Sequence, residues 1–238
     1  MTETVRAFYE QTPFPNYDDH DSVRALIEKS RTGLDARWLD EHPLQFCRKH
    51  GLARVRFMQM NLLRPALQPA RFDVVLCNGV LHTPSDPYGE FRALVPLLKP
   101  GGYLVLGLYN RYGRLATDLR RYLLRAMPGK VRWIDSILRR SKLSAGKRRA
   151  WFADQYRHPH ETKHTFGEIL RWFDATGIEF VRGIPALRPE DKGLEGESLF
   201  EPQPRGMALD RLILQAGEII APGQAEGGFF IMIVRKPG

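Results

Sequence analysis

Histidines and acids crowd into one short stretch of the chain, DQYRHPHETKH at positions 154–164. Three histidines and two carboxylates are side chains of the kind that hold a metal ion. Pro159 separates His158 from His160, so the stretch is not a helix with metal ligands one turn apart, and no thiolate is near. We therefore predict no metal site. The plain alternatives are capping of a helix that begins at Thr165 and exposure at the surface.

His82 is the candidate catalytic residue. It follows FDVVLC, an apolar run of strand length at 72–77. Sheets with helices on both faces bind their ligands beyond the carboxyl ends of the strands, which is where His82 stands. A structural role for His82 is the alternative. Ser85 lacks the strand, turn and helix context of a nucleophile elbow, which argues against a hydrolase.

Short apolar runs predict the strands that must position these residues. Five runs have this character: Ala53–Met58, Phe72–Cys77, Gly102–Leu108, Ile178–Ile184 and Gly228–Val234. Helical spacing of apolar residues predicts helices at Pro87–Leu98 and Thr165–Thr176, with Gly177 ending the second. Runs that are apolar on both faces and alternate with helices indicate a doubly wound α/β domain.

The composition is that of an ordinary globular protein. The chain has 238 residues, 43% of them hydrophobic and 26% charged, and it can bury a core without disulfides. Cys47 and Cys77 are the two cysteines, and we expect both to be buried. The sequence contains neither an apolar run of membrane-spanning length nor a secretory signal at its start, so we expect a cytoplasmic protein.

Positive charge is concentrated in one segment. The formal net charge is +9, whereas residues 111–149 contain 13 Lys or Arg and two Asp, a net charge of +11. Such a segment predicts an anionic partner, either nucleic acid or a membrane surface. Apolar residues recur opposite the arginines at helical spacing: Leu115, Leu119, Tyr122, Leu123 and Met127. The alternative is a helix with this apolar stripe in the core and a solvated basic face.

Several of these segments resemble class I S-adenosylmethionine-dependent methyltransferases. FDVVLCNGVLH, a helix and LLKPGGYLVLGLYN look like the fourth and fifth strands of that family. HTFGEILRWFDATGIEFV is similar to the penultimate helix and sixth strand, and GGFFIMIVR to the antiparallel seventh. The resemblance implies a single domain over 1–238 with a Rossmann-like, doubly wound, mostly parallel sheet and an antiparallel C-terminal strand. Segment 1–50 would be a lid or helical region, and 111–149 a basic helical insert.

The resemblance also implies roles for residues at matching positions. Asn61 follows the third strand, where the family hydrogen-bonds the adenine of S-adenosylmethionine, more usually through Asp. Asn78, Gly79 and Val80 would line the cofactor pocket, and His82 would act beside the transferred methyl group. The implied acceptor-binding residues are Tyr17, Thr83, Asn110, Tyr156, His158 and His160.

One part of the family pattern has no counterpart in the sequence. The chain contains no Gly-x-Gly, and residues 34–50 contain no strand-like run. The first strand, its glycine-rich turn and the second strand are therefore predicted to be missing, and the domain to be incomplete. The third strand is predicted to slide inward and pair with the fourth; instability, or completion by a partner, is the alternative.

The leading interpretation is a methyltransferase that moves a methyl group from S-adenosylmethionine to an unidentified acceptor. Methyl transfer is an in-line displacement, so positioning supplies most of the rate, and a base helps where the acceptor must lose a proton. The competing interpretation is a non-catalytic remnant of this fold that binds partners through its basic insert. An internally deleted enzyme is a third. The acceptor stays open among small metabolites, quinone-like lipids, nucleic acids and proteins.

Overall fold

The computed structural model describes residues 60–126, 145–158, 160–191, 199–220 and 228–238. Four strands lie in these ranges: β1 Phe72–Asn78, β2 Leu98–Tyr109, β3 Glu179–Ile184 and β4 Phe229–Arg235. They are accompanied by five helices: α1 Pro87–Leu94, α2 Leu115–Ala126, α3 Ala145–Arg157, α4 Phe166–Thr176 and α5 Ala208–Ile220. Two short 3-10 helices lie at Val95–Leu97 and Pro189–Asp191.

The four strands form one mixed sheet in the order β1-β2-β4-β3. β1 and β2 are parallel, and β4 runs antiparallel to both β2 and β3. The α/β architecture and the antiparallel C-terminal strand are confirmed. Among the described strands, β1, β2 and β3 point the same way and the C-terminal β4 runs against them, as expected; because β4 inserts between β2 and β3, two of the three pairings are antiparallel.

The long strand β2 is the centre of the core. One of its faces buries Leu104, Leu106 and Leu108 completely against α1 and α4. The opposite face packs beside a smaller cluster with Ile231 and Ile233 of β4. Apolar residues on both faces are typical of a strand covered on both sides. Burial of Cys77 in the main core is confirmed, and Cys47 lies outside the described residues.

Local signals in the sequence set the boundaries of α4. Thr165 accepts a hydrogen bond from the backbone N–H of Glu168, whose side chain binds back to the Thr165 N–H, a capping box. Gly177 ends the helix with φ of 67°, a conformation that glycine adopts without strain. The predicted helix at 165–176 with its glycine stop is therefore confirmed.

β1 lies at one end of the sheet formed by the described strands. Its Val75 side packs against the core, whereas Val74 and Leu76 on the other face are 43% and 39% exposed. The predicted loss of the first two strands concerns residues before position 60. It therefore lies outside the described residues, together with the predicted strand at 53–58 and the lid at 1–50.

The orientation of α2 contradicts the alternative in which its apolar stripe lies in the core and its basic face is solvated. Leu115, Leu119 and Tyr122 are exposed, while Arg114 is completely buried and Arg121 is largely buried. The reason is a buried carboxylate, described below, that attracts the arginines inward. Among the described helices, none combines the length and apolar character needed to cross a membrane.

Candidate active site

The carboxyl ends of the parallel strands β1 and β2 lie side by side, with Asn78 paired in register with Gly107. The side-chain Oδ1 of Asn78 is buried and has no hydrogen-bond partner among the described residues. Buried polar atoms are nearly always hydrogen-bonded in folded proteins, so an orphaned acceptor at a strand end is typical of a ligand site.

A tight turn follows β1. Gly79 has φ of 68°, and its N–H donates to the Gly107 carbonyl at 3.1 Å. The Thr83 hydroxyl donates to the Val80 carbonyl at 2.9 Å, and the Thr83 N–H donates to the same oxygen at 3.2 Å. The turn buries Leu81 completely and thereby fixes its neighbour, His82.

His82 is a buried, neutral imidazole. Its ring meets the Tyr109 ring edge-on with centroids 4.6 Å apart, and its Nδ1 has no hydrogen-bond partner among the described residues. Burial lowers the pKa of His82 to about 4, despite the opposing carboxylate of Glu161. The ring is therefore unprotonated at neutral pH, and its Nδ1 can accept a hydrogen bond; it can take up a proton only from a donor that is more acidic than a free hydroxyl group.

An ion-pair network lies behind Tyr109. Arg114 Nε and Nη2 donate to the two carboxylate oxygens of Glu161, both at 2.9 Å, and Arg114 Nη1 donates to Gln155 Oε1 at 2.7 Å. Arg121 also binds Glu161. The Arg114 guanidinium lies 4.1 Å from the centre of the Tyr109 ring, a cation–π contact.

The network keeps Glu161 ionised. Burial alone would raise the pKa of Glu161, but the guanidiniums of Arg114 and Arg121 outweigh burial and lower it to about 2. Burial raises the pKa of Tyr109 to about 12 against the opposing effect of Arg114. Tyr109 therefore stays a neutral phenol beside His82 at neutral pH.

The histidine-rich stretch packs against the turn after β1. The Thr162 N–H donates to the His82 carbonyl at 2.7 Å, and His160 Nε2 lies 3.2 Å from the Pro84 carbonyl. His158 is half-buried, and its Nδ1 accepts from the His160 N–H at 3.2 Å. The histidine-rich stretch, which the resemblance assigns to acceptor binding, therefore lies next to His82. Tyr156 is buried, with its ring 5.3 Å from that of Phe152.

Two other residues that the resemblance assigns to the site, Asn110 and Asn61, form hydrogen bonds within the protein itself. Asn110 is buried; its Nδ2 donates to Gln215 and its Oδ1 accepts from the N–H groups of Tyr112 and Gly113. Asn61 is exposed, and its Oδ1 accepts from the Leu63 N–H at 3.0 Å, within its own turn. Tyr17 lies outside the described residues. No group of metal-ligating side chains comes together anywhere in the described ranges.

Sequence reasoning did not name Tyr109, Arg114 or Gln155 as site residues, and it gave Glu161 no role of its own. The signal for Glu161 was its position within the histidine-rich stretch. Arg114 is separated from Glu161 by 47 positions, and by pattern it belonged to the basic segment. Arg114 is buried because it pairs with Glu161, and the spacing of residues along α2 does not reveal that pairing.

Comparisons with known proteins agree with this architecture. Residues 29–106 match the family model of a methyltransferase domain. The chain is 33% identical over 126 residues to the ubiquinone biosynthesis O-methyltransferase of Bordetella bronchiseptica, covering 50% of this chain and 51% of that protein. It is also 27% identical over 157 residues to the uncharacterized protein syc1184_c of Synechococcus, covering 57% of this chain and 38% of that protein.

Residues 29–106 are therefore similar to a methyltransferase domain. The matched stretch includes β1 and α1 and most of β2, and members of the methyltransferase family use S-adenosylmethionine. The structure of PKMT2 from Rickettsia typhi superposes with a TM-score of 0.52 at 13% identity, covering 82% of this chain and 42% of that one, which shows a shared fold. The chain spans about half the length of the O-methyltransferase that it matches.

Proposed function

We propose that this methyltransferase domain binds S-adenosylmethionine at the carboxyl ends of β1 and β2 and supports methyl transfer to an acceptor beside His82. The observation that carries the proposal is the pair of buried atoms without hydrogen-bond partners there, Asn78 Oδ1 and His82 Nδ1. A bound ligand with N–H or O–H groups would satisfy them. S-adenosylmethionine is such a ligand, and it supplies a methyl group on a sulfonium, ready for nucleophilic displacement.

Asn78, the turn after it and His82 have different roles in this proposal. Asn78 accepts a hydrogen bond from the cofactor, and the turn through Gly79 and Val80 lines the pocket that holds it. His82 Nδ1 accepts a hydrogen bond from an acceptor hydroxyl, since burial keeps the imidazole neutral, and it takes up the hydroxyl proton as the oxygen receives the methyl group and becomes acidic. An acceptor with a hydroxyl group is therefore the class that this arrangement suits best, in keeping with the O-methyltransferase named among the relatives.

Tyr109 and the histidine-rich stretch wall the acceptor side. The Tyr109 ring and His82 are in contact, and Thr162 and His160 bind the turn that carries His82. These contacts keep the imidazole in one orientation, which is what an in-line displacement needs from its surroundings.

A non-catalytic binding protein is the second candidate. It is favoured by the exposed face of β1, where Val74 and Leu76 are uncovered, and by the lack of any Gly-x-Gly in the sequence. A folded domain that has lost its cofactor site would keep the strand ends but not bind the cofactor.

Calorimetric titration with S-adenosylhomocysteine separates the two functions. We expect the folded protein to bind it, and Asn78→Ala to weaken binding about tenfold, the scale of one hydrogen bond in a buried site. Asp73→Asn is the matched control, because Asp73 is exposed at the other end of β1 and pairs with Lys99. Failure of the folded wild-type protein to bind would contradict the proposal and favour the binding protein.

A further inference from the structure

A buried arginine lies against the Tyr109 ring. The Arg114 side chain is 1% exposed, and its guanidinium lies 4.1 Å from the centre of that ring. The Tyr109 ring in turn meets the His82 imidazole edge-on, with centroids 4.6 Å apart. A continuous chain of side-chain contacts therefore leads from Arg114 through Tyr109 to His82.

The guanidinium of Arg114 is held in one plane. Its Nε and Nη2 donate to the two carboxylate oxygens of Glu161, both at 2.9 Å, and its Nη1 donates to Gln155 Oε1 at 2.7 Å. Two parallel bonds to one carboxylate fix the orientation of both groups. Arg121 donates to the same carboxylate, so Glu161 is itself held in place. The Tyr109 ring therefore rests against a surface that cannot turn.

The backbone connects the same ion pair to His82 a second time. Thr162, the residue after Glu161, donates its N–H to the His82 carbonyl oxygen at 2.7 Å. The His164 N–H donates to the Tyr109 carbonyl oxygen at 2.9 Å. The segment that carries Glu161 is therefore bonded to the backbone of both residues whose rings are in contact.

Stability alone is a poor reason for a buried ion pair at this place. The cost of removing two charges from water offsets most of their attraction, and apolar side chains of similar volume often stabilise a core equally well. What an arginine adds is geometry, because its planar fork bonds a carboxylate and stacks on a ring in one arrangement. The Arg114–Glu161 pair is therefore better suited to orienting Tyr109 than to stabilising the core.

We propose that Arg114 is a positioning residue for His82. Locked by Glu161, it holds the Tyr109 ring against the imidazole and keeps His82 in the orientation that leaves Nδ1 open to an acceptor hydroxyl. This inference rests on the proposed function, in which Nδ1 binds that hydroxyl. An in-line displacement depends on such alignment, and a small misplacement of a positioning group lowers the rate strongly. Arg114 acts through Tyr109 and contacts neither cofactor nor acceptor in this proposal.

Nuclear magnetic resonance of the full chain, labelled in its histidine and tyrosine rings and without added ligand, measures the ring contact directly. The wild type should show a nuclear Overhauser effect between the rings of His82 and Tyr109. His82→Gln identifies the His82 signals among those of the seven histidines. Arg114→Lys should lose most of the effect. Lysine keeps the positive charge, but it has no planar fork to bond Glu161 twice or to stack on the ring.

The same samples give a second readout, the titration of His82. Besides Tyr109, the charged or titratable groups that face this imidazole are Glu161, His158, Arg114 and His164. Burial lowers the pKa of His82 to about 4, and a loosened ring admits water, so this pKa should rise by about one unit or more in Arg114→Lys. Because lysine carries the same charge as arginine, the rise reports the position of the ring and not the loss of a charge.

Arg188→Lys is the matched control. Arg188 lies between β3 and α5 and binds Asp191 through the same two-bond geometry, at 2.7 and 2.9 Å, so its replacement should leave both His82 readouts unchanged. Tyr109→Leu is a second test that leaves the ion pair intact, and it should raise the pKa of His82 even if Arg114→Lys does not fold. Tyr109→Phe keeps the ring and should keep the wild-type titration. Circular dichroism shows which variants are folded.

Three results would overturn the proposal. The first is an Arg114→Lys or Tyr109→Leu variant, folded, in which His82 behaves as in the wild type. The second is an Arg114→Lys variant that binds S-adenosylhomocysteine as weakly as Asn78→Ala does, because Arg114 would then support the whole site. The third is a wild type that shows the ring contact but does not bind S-adenosylhomocysteine; this result would overturn the proposed function and leave the contact a structural one. The ring contact is measured without cofactor, so the two failures are distinguishable.

Discussion

The carboxamide of Asn78 occupies the space that Gly107 leaves open on the neighbouring strand. A Cβ at position 107 would lie 1.6 Å from Asn78 Oδ1 and 2.6 Å from Cζ of Phe229. The two residues are also paired in register across β1 and β2. Residue 107 must therefore be glycine, because any Cβ there would collide with the Asn78 carboxamide.

Gly107→Ala should weaken cofactor binding more than it lowers stability. The three atoms in the way belong to the side chains of Asn78 and Phe229, so they move aside at a cost of about 1 kcal/mol, and Asn78 loses its position. Titration with S-adenosylhomocysteine should show at least the loss seen in Asn78→Ala. Gly167→Ala in α4 is the control, since its nearest neighbour is the Arg171 guanidinium at 3.9 Å. Unchanged affinity in Gly107→Ala would argue against Asn78 as a cofactor contact.

Glu161→Gln should be strongly destabilising. It leaves the buried guanidinium of Arg114 without a counter-charge, which typically costs about 3–5 kcal/mol. Urea unfolding measures the loss. Asp73→Asn, which breaks the exposed pair with Lys99, should leave the stability almost unchanged, because water screens an exposed ion pair.

A double-mutant cycle measures the interaction energy between Arg114 and Glu161. Arg114→Leu added to Glu161→Gln should recover part of the lost stability, because it removes the unpaired buried charge. Additive losses in the double variant would show that the two side chains do not stabilise each other.

Stability should fall between pH 6.5 and pH 4, in part through His82. The pKa of His82 is lowered from 6.5 to about 4 in the folded protein, so the unfolded chain binds the proton first as the pH falls. Burial also lowers the pKa of His158, which acts in the same direction. Melting temperatures at pH 7 and pH 5 should therefore differ more in the wild type than in His82→Gln. His160→Gln, at an exposed position, should keep the wild-type difference. Equal differences in the wild type and His82→Gln would show that His82 titrates normally.

Cys77 should be inert in the folded protein. It is 4% exposed, and burial raises the pKa of its thiol to about 12, so almost no thiolate is present at pH 8. In a Cys47→Ser background, the remaining thiol should react with a chromogenic disulfide reagent only after denaturant is added. Rapid reaction of the native variant would mean that the core around β1 opens readily.

Much of the local structure was predictable from the sequence. The apolar runs predict the strands β1 and β4, and the Thr165, Glu168 and Gly177 signals set both ends of α4. The glycine pair near the start of β2 is similarly local: Gly101 has φ of 75°, and a Cβ on Gly102 would lie 3.0 Å from the Lys99 carbonyl oxygen. These features depend on residues close in the sequence, where periodicity and backbone preference decide the outcome.

The arrangement around His82 was not predictable in the same way. The pattern of α2 identified two faces but not which of them packs inward. That choice was made by Glu161, which pairs with Arg114 and Arg121 from the loop between α3 and α4. Likewise, the meeting of Asn78 with Gly107 depends on strand register, and the mixed sheet depends on where β4 inserts. Such contacts join residues far apart in the chain, so only the packed tertiary structure brings their charges and volumes together.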